Sequence, residues 1–183
     1  MDAKQSAIGK FLDPELIISQ LDVQNGAIAV DFGCGPGYFS MPFAKAVGTD
    51  GKVFSLDILP QALETVASKA KNEGITNIET HRVNLERENG SKMPDNSVDW
   101  VIMKDVLFQN KNKEIIITEA QRILKPEGKV IVVEWNQEEN TFGPEMEIRI
   151  EQDGLKKMFE QKGFLIEKNV DAGNFHYAFV AKK

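Results

Sequence analysis

Apolar residues along this chain come in two alternating kinds of run. Ile28–Phe32, Val53–Leu56, Ile78–Val83, Val98–Met103 and Lys129–Glu134 are short and have the length of buried strands. Between them, apolar positions recur at helical spacing. Leu63, Val66, Ala67 and Ala70 share one face before Gly74, and Ile116, Ala120, Ile123 and Leu124 share another before the fifth strand. Phe11 to Leu21 reads as an opening helix, with Asp13 as its cap and Pro14 in its first turn. Pro42 is tolerable only in the first turn of a helix, which places that helix start immediately after Gly37. A last helix is expected over about Ile150–Lys162, closed by Gly163, before two more strands, Leu165–Val170 and Phe175–Ala181. Lys125–Gly128 (KPEG) reads as a tight turn, and Asn89 to Asn96 and Gln137 to Glu145 as exposed loops.

This alternation predicts an α/β three-layer sandwich: a seven-stranded, mostly parallel sheet with helices on both faces and right-handed crossovers. Only Asp171–Asn174 separates the last two strands. That is too short for a helical crossover, so the sheet should end in a C-terminal antiparallel hairpin. The expected organisation is one domain over 1–183, with 1–22 as an N-terminal helical segment and 27–183 as the core.

Charge and cysteine narrow the function classes. A net charge of −6 argues against broad nucleic-acid binding, which depends on Lys and Arg neutralising phosphates. The single Cys34 has no disulfide partner and no metal-ligand companions, so no metal site is expected and a reducing compartment suits the chain. The opening MDAKQSAIGKF lacks the apolar core of a signal peptide, and no run is long enough to span a bilayer. The expectation is a cytoplasmic protein without membrane insertion.

The candidate chemistry lies in VDFGCGPGYFS (Val30–Ser40). Gly33, Gly35 and Gly37 follow a strand, and glycine lets a backbone come close to a ligand. A dinucleotide loop wants its third glycine at the sixth position, where this chain has Tyr38. The pattern is DxGxGxG, led by Asp31. It resembles the cofactor loop of class I S-adenosylmethionine-dependent methyltransferases. The likeness extends through Asp57 in VFSLDIL, the PDNSVDWVIM segment, ILKPEGKVIVVEW and the closing hairpin. It is nearest to the type 11-like subgroup that contains quinone-biosynthesis and other small-molecule enzymes.

The resemblance implies S-adenosylmethionine as cofactor and S-adenosylhomocysteine as product. It implies contacts from Asp31, Gly33, Cys34, Gly35, Gly37, Asp57, Ile58, Asn84, Leu85 and Lys104. Position supports several of these. A helix N-terminus after the glycines favours the cofactor's carboxylate. Asp57, ending the second strand, can accept from both ribose hydroxyls, although it could also cap the helix beginning near Pro60. Asn84 stands where the family usually has an acidic residue facing the adenine amino group, and an amide offers both an acceptor and a donor. Asp99 and His81 read as structural. The small Cys34 fits its loop without a nucleophilic role.

Methyl transfer is an in-line displacement that positioning can accelerate, and a base is needed only for a protonated nucleophile. His176, Asp105 and Tyr177 are the candidate catalytic residues. Gln109, Glu134, Trp135, Asn136, Asp171 and Asn174 lie at the same carboxyl edge. The Asn/Asp-Pro-Pro-aromatic signature of amino-group methyltransferases is missing, since Lys104–Phe108 reads KDVLF, and so are the several cysteines of arsenic methyltransferases. A small-molecule acceptor is therefore expected, with a protein acceptor as the other possibility and oligomeric state left open. The competing functions are a non-catalytic S-adenosylmethionine-binding partner or regulatory subunit, and a nicotinamide-dependent oxidoreductase, which Tyr38 disfavours.

Overall fold

In the computed structural model, which describes residues 12–138 and 142–183, the apolar runs form strands and the helically spaced segments form helices. The strands are β1 (Ile28–Phe32), β2 (Lys52–Asp57), β3 (Ile78–Arg82), β4 (Val98–Lys104), β5 (Leu124–Trp135), β6 (Leu165–Val170) and β7 (His176–Lys182). The helices are α1 (Pro14–Ser19), α2 (Ser40–Val47), α3 (Pro60–Asn72), α4 (Lys113–Ile123) and α5 (Gln152–Gln161). The expected start of α1 at Phe11, and the rest of 1–11, lie outside the described residues. No helix among those described is long and apolar enough to cross a membrane.

The sheet has the order β3-β2-β1-β4-β5-β7-β6. β1 to β5 run parallel, and β7 is antiparallel to both its neighbours. Strand alternation divides the core in two. Val30, Phe32, Val101, Met103, Val130, Val132 and Phe179 face α4 and α5 and pack with Ile116, Ile123, Leu155 and Phe159. Ala29, Ile102, Ile131, Val133, Ala178 and Val180 face the other way, onto Ile17 of α1 and Phe43 and Val47 of α2. Asp99 has the structural role expected of it: its carboxylate accepts from the Ile28 N–H at 2.9 Å and pairs with Lys125, fixing β4 beside β1.

Two local expectations need correction. α2 begins at Ser40 and not directly after Gly37. Gly37 first turns the chain at φ +81°, and its N–H donates to the Cys34 carbonyl. Pro42 still falls in the first turn. The KPEG segment is not a separate turn before β5 but a bulge inside it. Val98 pairs with Leu124 and Trp100 with Lys129, so five residues of β5 span two of β4. Glu127 takes the strained position at φ 69°, and the Lys183 N–H bonds the Gly128 carbonyl to hold the bulge.

Phe159 is fully buried, with Phe164 and Phe179 at ring centroid distances of 5.3 and 5.5 Å. Phe159→Ala should cost ~3–5 kcal/mol, the usual penalty for emptying such a site. Denaturant unfolding measures it, and a loss under about 1 kcal/mol would mean that α5 does not anchor this core.

Candidate functional site at the carboxyl ends of the strands

The sheet reverses direction of growth between β1 and β4, and a crevice opens outside the carboxyl ends of the strands at such a point. Here it is a cleft of about 330 Å³. Gly33, Gly35, Asp57, Ile58, Asn84 and Leu85 line it, together with Val106 and Gln109. Six of the ten residues expected around a cofactor thus converge. A depression of about 380 Å³ on the outer side of α4 has walls that neutralise one another, through Lys162–Glu114 and Arg122–Glu119 pairs.

Asp57 organises the cleft. One carboxylate oxygen accepts from the Gly35 N–H and the other from the Leu59 N–H, both at 2.9 Å. Asp57 is not the cap of α3, whose N-cap is Leu59. The cleft needs its glycines. Gly33 sits at φ +64°, with Val106 2.9 Å from where a Cβ would be. Gly35 sits at φ +49° with nothing within 4 Å of its Cβ position, so bare backbone faces the cleft.

The other expected cofactor residues lie around this floor. Asp31 is buried beneath the loop, accepting from the Ser40 hydroxyl at 2.6 Å. Ser40 in turn accepts from Ser55 at 2.8 Å, so β1, β2 and the start of α2 are tied together. Burial pushes the Asp31 carboxyl up to about 7, and the Asp57 charge adds to the effect. Cys34 packs with Met41, Leu63 and Val66, and burial raises its thiol, which leaves little reactive thiolate. Asn84 uses its Oδ1 to accept from the Glu86 N–H. Lys104 lies outside the cleft lining, paired with Asp105 and 5.9 Å from the Tyr38 ring centroid.

The wall carrying Asn84 and Leu85 is clamped from behind. Glu119 of α4 accepts from both the N–H and the hydroxyl of Ser91, and Arg122 donates to the Met93 carbonyl. Arg122 also pairs with Asp95 and Glu119.

Beyond Val106, the ends of β4, β5 and β7 gather a second group. His176 Nε2 lies 3.6 Å from Asp105 Oδ1, and the His176 ring packs on Trp135 at 4.1 Å between centroids. The register places them, because Trp135 pairs with His176 across β5 and β7. Tyr177 is not part of this group. Adjacent strand residues point to opposite faces, and its hydroxyl donates to the Ile150 carbonyl at 3.0 Å. Glu134 shares the Tyr177 side and is fully buried, accepting from the Leu107 N–H at 2.7 Å. Its parity with Val130 and Val132 in VIVVEW is the sequence signal for that burial. Arg149, which no pattern singled out, donates to the carbonyls of Asn136, Glu138, Phe142 and Pro144, with its guanidinium 5.7 Å from the Trp135 ring. Gly143 packs against the same ring, 2.5 Å from which its Cβ would fall.

A family model described as "Methyltransferase domain" matches residues 24–172. A demethylmenaquinone methyltransferase of Geobacillus stearothermophilus is 31% identical over 66% of this chain and 50% of its own. Another from Lactobacillus johnsonii is 28% identical over 83% and 59%. The chain spans about half the length of the curated relatives it matches. The crystal structure of a SAM-dependent methyltransferase from Aquifex aeolicus superposes with a TM-score of 0.86, at 23% identity, over 94% of this chain and 90% of that one.

Burial raises the Glu134 carboxyl from 4.5 to about 8, with the neighbouring Asp105 carboxylate adding to it. The folded state therefore holds this proton more tightly than the unfolded one. The stability it contributes is complete below the unfolded value and is lost as pH rises through the folded value. Relative to Glu134→Gln, the protein should lose a few kcal/mol between about pH 4.5 and 8, at about 1.4 kcal/mol for each step of one in pH. Asp31 titrates in both forms and cancels. Parallel denaturation curves across that range are the check, and a constant difference would refute the buried acid.

Proposed function

This chain belongs to the methyltransferase-domain family, and on that premise we propose that it moves a methyl group from S-adenosylmethionine to a small apolar acceptor by in-line displacement. The observation that carries the reading is the cleft in which Asp57 holds the Gly35 N–H and bare glycine backbone lines the floor. When bound, S-adenosylmethionine supplies an electrophilic methyl on a sulfonium and leaves as S-adenosylhomocysteine.

The residues fit that group. Asp57 spends two hydrogen bonds on backbone, which leaves about half of its lone-pair sites for ribose hydroxyls. Ile58, Leu59 and Leu85 give the adenine apolar surface, and Asn84, its oxygen engaged, keeps its amide N–H groups for the adenine edge. Gly35 and Gly37 spend their N–H groups on Asp57 and the Cys34 carbonyl, which leaves those of Tyr38 and Phe39, at the entry to α2, for the carboxylate. Asp31 beneath them supports the loop and favours the nearby ammonium.

Support for the acceptor class comes from the relatives named demethylmenaquinone methyltransferase and from the aromatic wall of Trp135. We therefore assign an aromatic, quinone-related small molecule approaching the edge between Lys104 and Trp135. One buried cysteine is in keeping with work in a reducing cytoplasm.

Calorimetry should detect S-adenosylmethionine and S-adenosylhomocysteine competing for one site. Asp57→Ala should weaken both by ~1–3 kcal/mol through loss of charged hydrogen bonds. Tight NADH binding with no response to either compound would overturn the assignment.

A further inference from the structure

Burial normally comes with hydrogen bonding, and polar groups left without it are few. Among the described residues, the buried side-chain atoms lacking a partner are Asp105 Oδ1, Glu134 Oε2 and both ring nitrogens of His176. All three residues belong to one edge of the sheet. His176 is 8% exposed and Glu134 fully enclosed, so solvent does not compensate them. Asp105 is held at φ 55°, an uncommon conformation for a non-glycine residue, with its N–H on the Val133 carbonyl and its other carboxylate oxygen paired to Lys104. Its free oxygen thereby faces the imidazole at 3.6 Å, too far for a hydrogen bond and close enough to tighten into one.

The group adjoins the proposed cofactor cleft, because Asp105 precedes Val106, whose side chain crowds Gly33. The partly exposed side of the group is the Lys104–Asp105 pair, at 28% and 13%. Trp135 supplies a flat apolar surface against the His176 ring, and the exposed Tyr38 and Phe142 belong to loops that meet Lys104 and Arg149.

We infer that His176 and Asp105 form the acceptor subsite, built for a planar apolar molecule that bears a hydroxyl group, and that His176 receives the hydroxyl proton. This rests on the methyltransferase reading. The hydroxyl gives its proton to Nδ1 of His176, the ring nitrogen that does not face Asp105, while its oxygen forms the new bond to the methyl carbon. The carbon–sulfur electrons stay with the departing thioether, and the imidazolium passes the proton to water. Asp105 is a positioning residue that orients the ring. The titratable and charged groups around His176 are Asp105 and Lys104 from the end of β4, the protonated Glu134 on the opposite face of β5, and Arg149, whose guanidinium lies on the Trp135 ring. Hydroxyl recognition explains why the polar atoms of His176 stand buried without partners, since a site built to bond a hydroxyl discriminates strongly against analogues lacking it.

The test uses the whole chain saturated with S-adenosylhomocysteine, with naphthol and its methyl ether as probes. His81, exposed on β3 and bonded to Glu79, is the only other histidine and serves as reference in nitrogen NMR of labelled histidine. Naphthol should bind at least about tenfold tighter than methoxynaphthalene. It should move the His176 ring resonances and leave those of His81 in place. Asp105→Asn should change the His176 tautomer signal and shrink the preference, with S-adenosylhomocysteine affinity kept. Equal binding of the two naphthalenes, or unmoved His176 signals while S-adenosylhomocysteine binds, would overturn the subsite alone. Failure of S-adenosylhomocysteine to bind would overturn the methyltransferase reading and this one with it.

Discussion

The carboxylate of Asp57 joins two loops that would otherwise be independent. Gly35 belongs to the turn after β1 and Leu59 to the turn after β2, and each donates its N–H to a different oxygen of the same side chain. Strand pairing brings the three within reach, because the Cys34 N–H continues the β1–β2 ladder onto the Leu56 carbonyl. Everything proposed for the cleft depends on this bridge. The glycine backbone is a cradle only while Gly35 is held, and Ile58 and Leu59 line a wall only while their turn is fixed.

Two neighbouring regions divide the chemistry by strand parity. Along β7, His176 and Tyr177 are adjacent in sequence and opposite in space. Glu134 and Trp135 are divided in the same way at the end of β5. One face of the sheet edge therefore carries Trp135 and His176, and Asp105 reaches towards it from the end of β4. The other face holds Glu134 against the Leu107 N–H and the Tyr177 hydroxyl against the Ile150 carbonyl.

The fold was legible because the signals that specify it are local. Apolar runs set the strands, Asp13 and Pro14 opened α1, and the short Asp171–Asn174 link required an antiparallel finish. The cleft floor was legible because its glycines and Asp57 follow directly from the ends of β1 and β2. The KPEG bulge escaped, since a tight turn and a bulge use the same residues and only the β4 register separates them. The pairing of Asp105 with His176 escaped too. It depends on the order β4-β5-β7, and nothing near either residue encodes that order. Arg149 gave no signal, because its partners are backbone carbonyls, which every sequence possesses.

Carbonyl partners shape how such a chain can change over generations. In the described parts of the segment between β5 and α5, one guanidinium grips the carbonyls of Asn136, Glu138, Phe142 and Pro144. Carbonyls survive almost any substitution. Mutation can therefore redraw the side chains of this segment, beside Trp135, while the path of its backbone is conserved. Descendants could acquire new molecular preferences at this edge without first having to invent a new loop.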